Sequence, residues 1–81
     1  MTKLEEITQA LLDRLPEACR FNINNKRDEY EQFKHDRNLS YENLLKMNEY
    51  LWALRDARFI SEYEVCVLRQ YILNKTPKEE D

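Results

Sequence analysis

The apolar positions of this chain recur at helical spacing almost from its start. Leu4, Ile7, Leu11, Leu12 and Leu15 form one stripe behind Thr2-Lys3-Leu4-Glu5, in which Thr2 and Glu5 make a capping box. The pattern predicts a first helix over about residues 3–15. Pro16 disfavours helical geometry at Leu15 and cannot donate a hydrogen bond to the preceding turn, yet it fits the start of a new helix.

From Pro16 to Arg37 two signals compete. Cys19, Ile23, Lys26, Tyr30 and Phe33 keep heptad-like spacing with a thin apolar seam, which favours one helix over about residues 17–37. Asn22, Asn24 and Asn25 offer the backbone competing hydrogen bonds and argue for an interruption near residues 22–25. The balance favours helix over about residues 27–37, preceded by a helical turn or two or by the start of one long helix. Asn38 then stands where a left-handed residue closes a helix, a place Asn takes when Gly is absent.

One turn chemistry is written twice. Leu39-Ser40 with Leu44 and Ile60-Ser61 with Val65 each set an apolar residue before a Ser and its mate four positions after, the form of an N-cap closed by a hydrophobic staple. The second copy adds Glu64, completing a Ser-x-x-Glu capping box. These starts predict helices over about residues 41–57 and 62–73, with Arg58 just past the third helix where φ > 0 is expected. Asn74 and Pro77 mark a stop, and residues 75–81 read as a charged, frayed tail. The fold class expected is all-α: a compact bundle of three or four short helices, one domain over residues 1–74. Its core should contain Leu4, Ile7, Leu11, Leu44, Leu51, Leu54, Val65, Leu68 and Ile72.

The two C-terminal helices carry more apolar surface than such a core should need. Beside the stripe Leu44, Met47, Leu51 and Leu54, the third helix has a second one, Tyr41, Leu45 and Trp52, with Asn48 and Arg55 between. On the fourth, Tyr63 and Val67 point nearly opposite the Val65, Leu68 and Ile72 face. A helix apolar nearly all round is either central or covered by something else. Aromatic residues are also enriched among interface anchors, so Tyr41, Leu45, Trp52, Tyr63 and Val67 are the candidate partner-binding residues.

Composition excludes more than it assigns. The 81 residues are 42% hydrophobic and 36% charged, neither a disordered nor a membrane composition. No apolar run approaches the roughly 18–20 residues of a membrane span, and the N-terminus lacks the apolar core of a signal peptide, so a cytoplasmic location is expected. The net charge is −3, from 13 basic and 16 acidic residues, and gives no bulk attraction to nucleic acid or an anionic membrane. There is no glycine, so phosphate-cradling and dinucleotide-binding loops lack the residue they depend on.

The residues that carry chemistry are scattered. Cys19, His35 and Cys66 have no partner at metal-ligand spacing, and two cysteines without a sign of export read as reduced and buried. The single His lies in the charged run Lys34-His35-Asp36-Arg37, with no group set to orient it as a base. Acidic pairs such as Glu5-Glu6 and Glu62/Glu64 fall in first helical turns, where the helix dipole favours them without any catalytic role. No metal, cofactor or small-molecule substrate is implied.

The stretch Leu54 to Glu64 resembles the helical hairpins of bacterial short oligomerisation modules, which read as Leu, a Gly-containing turn, Ile-Ser/Thr and acidic residues. Arg58 stands where those hairpins have Gly, and helix capping alone produces the remainder, so the likeness assigns no family. By elimination the chain reads as a non-enzymatic protein-binding module. It would be an adaptor, or an inhibitor of the kind phages and mobile elements encode, acting on a protein partner or by self-association. The alternative is a small helix-turn-helix-like regulator using the last two helices on DNA. Against it, the first turn of the would-be recognition helix carries Glu62 and Glu64, which phosphates repel.

Overall fold

The computed structural model describes residues 2–73 and is all-α, with four helices: α1 Lys3–Arg14, α2 Glu17–Phe33, α3 Arg37–Asp56 and α4 Glu62–Ile72. The expected stop at Asn74 and the tail beyond it lie outside the described residues. The helices start where local chemistry is strongest. Thr2 Oγ1 accepts from the Glu5 amide while Glu5 Oε1 accepts from the Thr2 amide, a closed capping box. At α4 the same reciprocal pair joins Ser61 and Glu64, with bonds of 3.2 and 2.8 Å. Ser61→Ala is expected to cost about 0.5–2 kcal/mol in denaturant unfolding, and Ser61→Asp much less, since a carboxylate still accepts from the Glu64 amide.

Between α3 and α4 the chain turns through Arg58, at φ 67°, the one non-glycine residue with positive φ among those described. The amide of Phe59 then bonds back to the Leu54 carbonyl at 3.0 Å, as in a left-handed helix closure. A Cβ makes this geometry costly, so Arg58→Gly is expected to be neutral or stabilising by up to about 1 kcal/mol. Clear destabilisation in a thermal melt would show that the Arg58 side chain makes a needed contact.

One expectation is corrected and one open alternative is decided. The third helix does not begin at Ser40. Asp36 is its N-cap, its Oδ1 accepting from the Leu39 amide at 3.0 Å, and Ser40 already donates a helical bond to the Asp36 carbonyl. A cap that is also an anion gains from the helix dipole, and starting there adds nearly a turn of backbone bonds. Asn38 is accordingly inside α3 and not a left-handed closure, Leu39 is exposed, and α2 ends at Phe33 instead of near residue 37.

Of the alternatives left open for the second helix, the continuous one holds: the asparagines do not interrupt α2. Two of the three side chains, those of Asn22 and Asn24, are engaged elsewhere. Asn24 Oδ1 accepts from the Tyr71 hydroxyl at 2.6 Å, and Asn22 Nδ2 donates to the Tyr50 hydroxyl at 3.4 Å. Satisfied by tertiary partners, they no longer compete for the backbone. The same two tyrosines receive cations from α2, Lys26 over Tyr50 at 5.0 Å and Arg27 over Tyr71 at 4.4 Å. A helix that buries only Ile23 is thus docked on α3 and α4 largely through two tyrosine clamps.

The core gathers around α4, on which α1, α2 and α3 all pack. Leu11, Leu51, Leu54, Val65, Leu68 and Ile72 are buried as expected, whereas Leu4, Ile7 and Leu44 are half-buried at its margin. Leu12, Leu15, Ile23, Met47, Ile60 and Val67 complete it. The end of α1 is closed by Arg20, whose guanidinium donates to the carbonyls of Leu12, Asp13 and Leu15 at 3.2–3.4 Å. Arg14 crosses to α4, donating to Glu64 Oε1 at 2.8 Å and to the Phe59 carbonyl at 3.3 Å.

Candidate functional site

Of the five residues expected to face a partner, four are exposed and one is not. Tyr41 is 63% exposed, Leu45 45%, Trp52 37% and Tyr63 63%. Val67 is 3% exposed and belongs to the core. Its position opposite Val65 and Leu68 is apolar because α4 is the central helix, with neighbours on more than one side. What remains to solvent on α4 is a narrow strip of Glu62, Tyr63, Cys66 and Gln70.

The exposed side of α3 is better organised. Tyr41, Leu45, Asn48, Trp52 and Arg55 follow one another at spacings of four, three, four and three, the seam of a heptad repeat. Two other sides of α3 are occupied. Its α2 side holds Tyr50 and Asn43, the latter donating to the Glu29 carbonyl at 3.5 Å. Its α4 side holds Met47, Leu51 and Leu54, all buried. Arg55 lies over the Trp52 ring at 4.5 Å, bonded to Asp56 at 3.1 Å and paired with Glu62 at 4.0 Å. Extending the antiparallel register of the Arg55–Glu62 pair sets Asn48 level with Arg69 and Leu44 level with Leu73. Asn48 Oδ1 and Arg69 Nε are buried without a hydrogen-bond partner, which makes the middle of this seam polar.

Sequence reasoning did not single out Phe21 and Phe59, which are exposed on the outer side of α2 and in the α3–α4 turn. Two open depressions lie on the surface of the described residues. One of about 510 Å³ is lined by Lys34, His35, Arg37, Ser40, Tyr41 and Leu44 at the N-terminal end of the α3 stripe, and one of about 530 Å³ by Asn24, Arg27, Asp28 and Glu31 on α2.

Reactive groups are not brought together. Cys19 and Cys66 are free thiols on different helices, Cys19 half-buried and Cys66 exposed where burial was expected. Cys66 falls on the outward strip of α4, so its apolar neighbours in sequence do not cover it. Among the described residues no three of His, Cys, Asp and Glu form a cluster able to hold a metal, and no helix is long and apolar enough to cross a membrane. The Tyr50 phenol is pushed above its ordinary range, chiefly by burial and further by the neighbouring Cys19, with the Asn22 bond opposing. That keeps it protonated in the clamp.

Compared with protein-family models, with curated proteins and with solved structures, the chain matches none.

Proposed function

We propose that this protein is a non-enzymatic protein-binding module, an adaptor or inhibitor, whose contact surface is the outer side of α3, with exposed Tyr63 of α4 a further candidate. The observation that carries this reading is that Tyr41, Leu45 and Trp52 share one side of α3 and stay exposed while Met47, Leu51 and Leu54 on another side enter the core. Single exposed apolar side chains are ordinary, but three on one helix side, two of them aromatic, make the kind of patch that anchors a partner. Arg55, stacked on Trp52, is already engaged with Asp56 and Glu62, so the Trp52 end of the patch presents itself as apolar rather than basic. The exposed carboxylate of Glu62 in the first turn of α4 further disfavours a phosphate backbone there.

The test is comparative. A protein retained by the wild-type chain should bind it again when both are purified. It should be lost with Leu45→Ser and with Trp52→Ser, and kept with Phe21→Ser, which alters an exposed aromatic on the outer side of α2. Helical circular dichroism should be unchanged in all three. Equal binding by all three variants would remove α3 as the contact surface. Sedimentation of the free chain separates a foreign partner from a second copy.

A further inference from the structure

The flanks of the α3 stripe differ. On one side lie Leu44 and Leu51, turned into the protein's own core. On the other, Glu42, Glu49 and Asp56 each follow a stripe residue by one position and repeat every seven residues, so they form an exposed acidic row parallel to the stripe. Lys46 stands one step further out, Lys34 and Arg37 line the depression beside Tyr41 at one end, and Arg55 is tied to Asp56 and Glu62, so the acidic character belongs to the flank that carries Glu42 and Glu49.

We infer that the occupant of this face is an amphipathic helix of another protein that carries Lys or Arg beside its apolar seam. The inference rests on the protein-binding reading above and names the chemistry of the partner. A helix fits because the seam from Tyr41 to Arg55 is heptad-spaced within one helix and about 20 Å long, enough for three to four turns of knobs-into-holes contact. A cationic flank fits because of the acidic row. A second copy of this chain fits poorly. Paired antiparallel, two α3 stripes set acidic row against acidic row. Paired in parallel, each row meets the Leu44 and Leu51 flank, which is committed to its own core, and gains only Arg37 at one end.

Trp52 is the only tryptophan, so its emission reports occupation of the stripe directly. The probes are three synthetic helical peptides without Trp or Tyr, with the same Leu seam and with flanking positions filled by Lys, Gln or Glu, and a scrambled form of the Lys peptide. With the full-length chain at low salt, the Lys-flanked peptide is expected to blue-shift Trp52 emission. It should bind about tenfold more tightly than the Gln-flanked peptide, more tightly still than the Glu-flanked one, and far more tightly than the scrambled control. The preference should shrink towards parity at about 1 M salt, where the screening length falls to about 3 Å. The double variant Glu42→Lys/Glu49→Lys, with helical circular dichroism retained, should reverse the order.

Equal binding of the Lys- and Gln-flanked peptides would overturn the inference while leaving the apolar surface in place. Equal binding of the scrambled peptide would reduce it to unspecific charge attraction and overturn it as well. If no peptide binds and the chain sediments as a dimer that Leu45→Ser dissociates, the occupant is a second copy. If no peptide binds and the chain is a monomer, the inference fails together with the α3 surface on which it rests.

Discussion

Truncating Leu51 or Leu68 to Ala is expected to cost about 2–5 kcal/mol each, read as a lower denaturant midpoint with little change in slope. Both side chains are 0% exposed. Leu68 lies on the helix that touches all three others, and Leu51 is its counterpart on α3. Removing three carbons from either leaves a void that neighbours on several helices would have to close together, and a four-helix arrangement has little freedom to do so. A domain of this size holds only some 5–10 kcal/mol in total, so either change removes a large part of it. Leu45→Ala supplies the contrast. It deletes the same atoms from the same helix on the exposed stripe, and should stay within about 0.5 kcal/mol. If Leu45→Ala cost as much as Leu51→Ala, the two sides of α3 would have been assigned the wrong way round.

Much of the fold is legible in the sequence because it is written locally. Thr2 with Glu5 and Ser61 with Glu64 satisfy each other's backbone groups within four residues, so no tertiary information is needed to place the starts of α1 and α4. Arg58 follows from the same arithmetic, since the distance from the end of α3 to the Ser61 cap leaves room only for a left-handed closure. Ile60 and Val65, expected as a staple, are both buried. Legibility ends where two local signals tie. Asp36 and Ser40 are both competent caps four residues apart, and the choice fell to the one carrying a charge and allowing the longer helix. The asparagines of α2 illustrate a second limit. Asn22 and Asn24 are interruption signals only while unpaired, and their partners Tyr50 and Tyr71 are remote in sequence.

The candidate surface was legible to the same extent and for the same reason. A helix of known phase shows which residues share a side, and on α3 that sufficed to separate Tyr41, Leu45 and Trp52 from Met47, Leu51 and Leu54. Phase does not show how many neighbours a helix has. α4 has three, so its apolar arc is wide because its burial is wide, and Val67 belongs to the packing of the bundle. Tyr63, by contrast, lies on the narrow strip that none of those neighbours covers.

That division predicts opposite outcomes for two positions four residues apart on α4. Val67→Asp is expected to abolish cooperative unfolding at neutral pH. It places a carboxylate at a site 3% exposed within the buried apolar cluster, at a cost of about 3–5 kcal/mol or more. Loss of the valine packing adds to that, and the sum approaches the whole stability of the domain. Since the penalty belongs to the ionised form, lowering the pH towards the raised pKa of the introduced acid should recover part of the helical signal. Tyr63→Ser should leave the melting transition within about 0.5 kcal/mol of wild type, because Tyr63 is 63% exposed and little of it leaves water on folding. Its effect should fall on partner binding instead. A fully folded Val67→Asp protein at neutral pH would mean that α1, α2 and α3 do not enclose α4 as described, and Val67 would return to the set of contact residues.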